Sequence, residues 1–309
     1  MLDRRQVLQL GASAMALPML ALAKQDKTAG DSSPALIRRP IPSSGELLPV
    51  MGMGTSRTFD SPADSQTLAE LSAVMQAFFD GGGSVIDSSP MYGNAESRVG
   101  DVLRAMPGHP GVFAATKVWT EGREQGIAQM EQSARRMNVE VFDLIAVHNL
   151  MDWKTHLDTL KRWKDAGKVR YIGITTSHGR DHAELLEIMR SEPLDFVQFS
   201  YNIDNRAAEE QLLPLAADRG IATMINRPYQ RGALFTRSRD ADLPAVAADL
   251  DCTSWAQFYL KFILGHPAVT CIIPATAKVH HMEDNMQANF GRVPDAGQRA
   301  EMLRVFQSL

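Results

Sequence analysis

Cysteine is nearly absent: the 309 residues hold two, Cys252 and Cys271, far apart and without a CxxC spacing. A disulfide framework is not indicated, and two buried thiols are the simpler reading. No charge of one sign dominates either. The formal net charge is -4 and the sequence pI about 6.1, which leaves no electrostatic footprint for nucleic acid or an anionic membrane as main partner. No strand-to-helix turn carries G-x-G-x-x-G; Gly52-x-Gly54 is only a fragment of it. The open doubly wound sheet therefore loses its main sequence support. His178 and His182 have the spacing of a helical metal pair, but no third ligand accompanies them and no metal site is assigned. The longest apolar run, residues 7–23, is alanine-rich, interrupted by Gln9, Ser13 and Pro18, and too short to span a bilayer comfortably.

That run nevertheless has a meaning. Arg4 and Arg5 precede it, and Ala21-Leu22-Ala23 closes it with the small-x-small form of a signal-peptidase site. The arrangement resembles a twin-arginine export signal, although Asp3, Val7 and Gln9 depart from the preferred pattern. Residues 1–23 are thus read as a signal peptide that engages export machinery without stable membrane insertion, and 24–35 as a disordered polar linker. The periplasm or another exported location is the expected destination.

The remainder, 36–309, has the composition of a globular domain, with 44% hydrophobic and 22% charged residues over the whole chain. Two short runs flanking Ser43-Ser44-Gly45 predict an N-terminal β-hairpin. Eight apolar runs then read as buried strands, at 50–55, 84–88, 112–118, 144–148, 169–175, 196–201, 222–226 and 270–274. Between and after them, helical periodicity appears at 65–80, 95–105, 123–137, 153–166, 183–190, 207–219, 254–264, 280–288 and 295–306. In the first of these, Leu68, Leu71, Val74, Met75, Phe78 and Phe79 recur three or four apart, and three glycines end the helix. Eight strands each followed by a helix predict a single α/β domain, a (β/α)8 TIM barrel.

In such a barrel, strand carboxyl ends face one cavity. Asp87, Lys117 and His148 fall at or near the ends of strands two, three and four, and Tyr92 sits five residues beyond Asp87. A buried Asp and a buried Lys on neighbouring strands imply a mutual ion pair, since either alone is costly. The set suits carbonyl reduction. Hydride addition creates an alkoxide that needs a proton, and a tyrosine can deliver one if a lysine ammonium lowers its pKa from about 10. A neutral histidine orients the oxygen. The hydride must come from a cofactor.

The segment 82–96, running through Asp87-Ser88-Ser89-Pro90-Met91-Tyr92-Gly93, resembles the signature of the aldo-keto reductases. So do Thr116-Lys117-Val118-Trp119, Leu144-Ile145-Ala146-Val147-His148-Asn149, and the segments 167–174, 196–202 and 273–285, in family order over nearly all of 36–309. The resemblance implies a (β/α)8 barrel binding NADPH, or NADH, without a Rossmann domain, and Tyr92 as general acid. It places Gln198 under the nicotinamide and Thr175 and Thr176 at its carboxamide, where the family usually has Ser-Asn. Gly54, Thr55 and Asn226 fall in the same pocket, Asn226 or Arg227 standing where an aromatic stacks in the family. Arg231, Thr276, Lys278, His281, Asp284 and Asn285 are assigned to the pyrophosphate and adenosine end, Trp119 and Asn149 to a small-molecule carbonyl substrate. Two rival activities stay open: a Schiff-base aldolase using Lys117, and a cofactor-binding accessory or redox-sensing subunit with little turnover.

Overall fold

A computed structural model describes residues 35–106 and 108–309. The signal peptide and all but the last residue of the linker read from the sequence lie outside them. The described chain opens with the expected hairpin, β1 (Arg38–Pro40) paired antiparallel to β2 (Leu47–Pro49). Eight parallel strands follow: β3 (Met53–Gly54), β4 (Val85–Asp87), β5 (Phe113–Val118), β6 (Phe142–His148), β7 (Val169–Thr175), β8 (Phe196–Ser200), β9 (Ala222–Asn226) and β10 (Cys271–Ile272). Each pairs with its sequence neighbour. The amide of Ile272 donates to Val50 O (2.9 Å), Gly52 N to Ile272 O (2.8 Å) and Gly54 N to Pro274 O (2.9 Å), joining last strand to first. The sheet is a barrel, as expected.

The first and last strands are shorter than their apolar runs. Around residues 50–55 the backbone spends its hydrogen bonds on barrel closure, so little regular ladder remains. The helix expected at 207–219 is broken into a 3-10 turn, Ala207–Glu209, and an α-helix, Leu212–Arg219. Pro214 lacks the N–H that would bond one turn back, so it is tolerated only near a helix start. The other helices fall close to expectation. Ser65–Asp80 is capped by Asp64, whose side chain accepts from Thr67 N (2.9 Å), and Gly82, at φ 78°, turns the chain back toward β4.

Strand alternation decides what faces inward. Val85, Phe113, Ala115, Leu144, Tyr171, Phe196, Ala222, Met224, Cys271 and Ile273 share one buried cluster with Ile41 and Leu48 of the hairpin. These side chains fill the lower barrel, and the hairpin plugs its floor. Ile86, Ala114, Ile145, Val147, Val197 and Ile225 belong to the second cluster, between sheet and helices. Two residues beyond an inward residue the chain faces inward again. Asp87 follows Val85, Lys117 follows Ala115, Gln198 follows Phe196 and Asn226 follows Met224 by that step; His148 follows Leu144, and Thr175 Tyr171, by two such steps. The top of the barrel is polar because the same period that packs the floor ends there on these side chains.

Candidate active site

The expected ion pair is present. Lys117, with no exposed surface, donates from Nζ to Asp87 Oδ1 (2.8 Å), Asp87 Oδ2 (2.7 Å) and the carbonyl of Ser88 (2.7 Å). Three acceptors satisfy all three ammonium protons. Burial pulls the Lys117 pKa down, but the charge of Asp87 and the neighbouring Tyr92 outweigh it, and the net direction is upward. The lysine stays a cation. Across the barrel, Gln198 Nε2 donates to Asp87 Oδ1 (3.1 Å) and Thr175 Oγ1 to Gln198 Oε1 (2.7 Å). One buried network thus joins β5, β4, β8 and β7.

Tyr92 stands over this pair, its ring centroid 5.3 Å from Lys117 Nζ. Its position comes from a turn: Pro90 follows Ser89, and Tyr92 N donates to Ser89 O (3.0 Å). The sequence reading has the lysine lowering the tyrosine pKa. Lys117 does act in that direction, but burial raises the pKa and Asp87 adds to the rise, so the net shift is upward. The phenol is held protonated, the state a general acid requires.

His148 closes the cluster, its ring 5.8 Å from Tyr92 in an edge contact and 6.4 Å from Trp119. Burial, with the charge of Lys117 second, lowers its pKa to about 3. It is therefore neutral near pH 7. Its Nδ1 lies 2.9 Å from Ser89 Oγ, a contact the sequence did not disclose. Trp119 is fixed by Gln129, which accepts from Trp119 N (2.6 Å) and donates to Trp119 O (3.0 Å). Asn149, at φ 52°, has its amide bonded to Thr175 O (2.8 Å) and sits beside the same opening.

The residues assigned to a cofactor divide into two groups. Thr176 Oγ1 is buried and without a hydrogen-bond partner, an unmet demand at the carboxamide position. Thr55, by contrast, spends its hydroxyl on Asp87 O (3.0 Å) and Ser88 Oγ (2.9 Å). Gly54 is required by barrel closure, since a Cβ there would lie 2.9 Å from Ile273 O. Asn226 ties three strands together, donating to Thr176 O (2.9 Å) and accepting from Ser200 Oγ (2.6 Å). At the far end, Asp284 accepts from Gln257 (2.6 Å) and Asn285 Oδ1 from Tyr229 OH (2.6 Å). Thr276 is buried and accepts from Lys278 N (3.1 Å), while Lys278 and His281 are exposed.

Above the pocket, Arg57, Arg180, Arg227 and Arg231 converge on His178, whose Nε2 is 2.7 Å from Arg227 Nη1. Burial first, then the four guanidinium charges, lower the His178 pKa. The Arg227 pKa falls through burial and the charges of Arg231 and Arg57. Among the described residues none of the four forms a salt bridge with a carboxylate. Of these the sequence reading named Arg231 as a contact and raised Arg227 only as a possible aromatic replacement. Four arginines in loops after strand ends are the signal available in the sequence.

Comparison with known proteins adds four findings. A family model described as the Aldo/keto reductase family matches residues 50–296. Methylglyoxal reductase YeaE of Escherichia coli is 27% identical over 250 residues, covering 78% of this chain and 86% of that protein. Glyoxal reductase of Bacillus subtilis is 26% identical over 247 residues, covering 78% and 83%. In fold, the chain resembles an aldo-keto reductase from Klebsiella pneumoniae solved in complex with NADPH. That likeness has a TM-score of 0.71 at 21% identity, covering 88% of this chain and 96% of the other.

Proposed function

The chain belongs to the Aldo/keto reductase family, and from that premise we propose that it reduces an aldehyde or ketone to an alcohol with NADPH, Tyr92 supplying the proton. The observation that carries the reading is the stacking of a protonated, half-buried Tyr92 over the Lys117–Asp87 pair, with neutral His148 at its edge. The two relatives named for methylglyoxal and glyoxal reduction support a small reactive aldehyde as substrate class.

The residues present fit a nicotinamide nucleotide. Thr176 offers a buried hydroxyl without a partner, beside Gln198 and Thr175, for the carboxamide. Arg57, Arg227 and Arg231 offer unneutralised charge for the diphosphate. When bound, the nucleotide supplies the hydride. The protein's own work is proton delivery. His148 offers an N–H to the carbonyl oxygen and orients it, while Tyr92 places its proton on that oxygen as negative charge develops. Lys117 keeps its ammonium beside the phenol and stabilises the phenolate left behind; Asp87 holds the lysine there. Trp119 walls the substrate side.

The same geometry disfavours a Schiff-base aldolase. A lysine nucleophile must be neutral and reachable, whereas Lys117 is fully buried, charged and bonded to three oxygens. The deciding experiment titrates the protein with NADPH and NADH by fluorescence, then follows oxidation of the preferred form over a carbonyl panel that includes methylglyoxal. Turnover that falls at least a hundredfold in Tyr92→Phe supports the assignment. An undiminished rate overturns it, and tight binding without turnover favours an accessory subunit.

Export by the twin-arginine route is part of the proposal, supported by Arg4, Arg5 and the apolar run behind them. A folded passenger would carry its nucleotide with it. Mature protein recovered from the periplasm is expected to release nicotinamide nucleotide on denaturation; recovery only from the cytosol contradicts the route.

A further inference from the structure

Ser89 is fully buried, and its Oγ has two neighbours among the described residues: Met91 N, which donates to it at 3.2 Å, and His148 Nδ1 at 2.9 Å. A hydroxyl has one proton to give and two lone pairs to offer. If Nδ1 carried the imidazole proton, Ser89 would accept from both neighbours and its own buried O–H would have no acceptor in contact. That arrangement costs a buried hydrogen bond. If Ser89 instead donates to Nδ1, its hydroxyl, Met91 N and Nδ1 are all satisfied. A neutral imidazole has one N–H, so the proton then lies on Nε2. Nε2 has no hydrogen-bond partner among the described residues, and it belongs to the ring that meets Tyr92 and Trp119 at the mouth of the barrel.

The geometry points to Ser89 as the positioning residue that sets the tautomer of His148: its hydroxyl donates to Nδ1 and so leaves the N–H of Nε2 free for the substrate's carbonyl oxygen. The wrong tautomer would present a lone pair to that oxygen, and repulsion would replace the hydrogen bond. Ser89 also opens the turn that places Tyr92, through its carbonyl rather than its hydroxyl. One residue therefore aligns both groups that meet the oxygen, the phenol through its backbone and the imidazole through its side chain. The two functions are largely separable, because Ser89→Ala removes the second and, within the turn, only the 3.2 Å contact from Met91 N, leaving the bond from Tyr92 N to Ser89 O.

The inference rests on the carbonyl-reductase reading for its catalytic meaning but not for its test. Nitrogen-15 NMR of histidine-labelled protein reads the tautomer directly, without turnover, with the His148 signals assigned by their loss in His148→Gln. The wild type is expected to show a protonated Nε2 and an unprotonated Nδ1 near neutral pH. Ser89→Ala is expected to show mixed tautomers and a kcat about tenfold lower, with KM and nucleotide affinity within about twofold. A proton on Nδ1 in the wild type overturns the assignment, whether or not Ser89→Ala folds. So does a Ser89→Ala protein whose tautomer is unchanged, or whose kcat is unchanged although the tautomer shifts. If the wild type reduces no carbonyl at all, the functional reading fails while the spectrum still decides the tautomer.

Discussion

Lys117 Nζ lies 2.8 and 2.7 Å from the two carboxylate oxygens of Asp87, and neither side chain is more than 5% exposed. Each charge is tolerated only because the other is there. Lys117→Met alone leaves a carboxylate facing the amide of Gln198, and Asp87→Leu alone leaves a buried ammonium. Each single variant is expected to lose about 3–5 kcal/mol of stability. The double variant should recover part of that loss in urea unfolding while reduction stays abolished, because Tyr92 then has no cation beside it. A double variant as unstable as the sum of the singles would show that the two charges are not coupled.

The depressed pKa of His148 has a consequence on the acid side. The folded protein keeps the ring neutral down to about pH 3, whereas an unfolded histidine titrates near its ordinary value of 6.5. Below 6.5 the unfolded state takes up a proton that the folded state refuses, so stability present above that pH is lost as pH falls toward 3. At full effect the slope is about 1.4 kcal/mol per pH unit for one proton. His148→Gln should remove that share of the acid destabilisation, measured as the shift of the urea midpoint with pH against wild type. Equal slopes in the two proteins would place the histidine pKa near its ordinary value.

The barrel and its catalytic cluster were legible in the sequence for one reason: both follow from the period-two alternation of short strands. The inward step that buries Phe113 and Ala115 delivers Lys117, and the one that buries Leu144 delivers His148. Barrel closure was less legible, since the hydrogen bonds of Gly52 to Ile272 and of Gly54 to Pro274 join residues more than 200 positions apart. Ser89 stood inside the recognised signature without a role, because its partner His148 comes from another strand and only the fold sets them 2.9 Å apart. The direction of the Tyr92 pKa is not legible in the sequence for a related reason. Charges can be read from a sequence, but the burial that outweighs Lys117 here cannot.

Gly100 gives a test of packing away from the site. It lies in the helix Ala95–Ala105, and a Cβ built on it would come within 2.0 Å of the backbone oxygen of Arg136, in the helix Arg123–Met137. Backbone cannot swing aside as a long side chain can, so the helices must separate. Gly100→Ala is expected to destabilise by about 1–3 kcal/mol, despite alanine's better helix propensity. Thermal unfolding measures it; a variant as stable as wild type would mean that the two helices slide apart freely.

The arginines around His178 predict two effects of opposite sign from one substitution. Arg57 and Arg231 repel Arg227, and among the described residues none of the three forms a salt bridge, so the nucleotide-free protein carries that repulsion uncompensated. A diphosphate would relieve it. Arg227→Gln should therefore weaken NADPH binding, by about tenfold at low salt, while leaving the nucleotide-free protein at least as stable as wild type. The affinity difference should shrink as salt rises, because the screening length falls from about 10 Å at 0.1 M to about 3 Å at 1 M. His178, freed of its nearest cation, should titrate at higher pH in the variant, since Arg227 is the first of the four charges that depress it. Were Arg227 a structural strut tying His178 to the β9 loop, stability and affinity would fall together, and salt would leave their ratio unchanged.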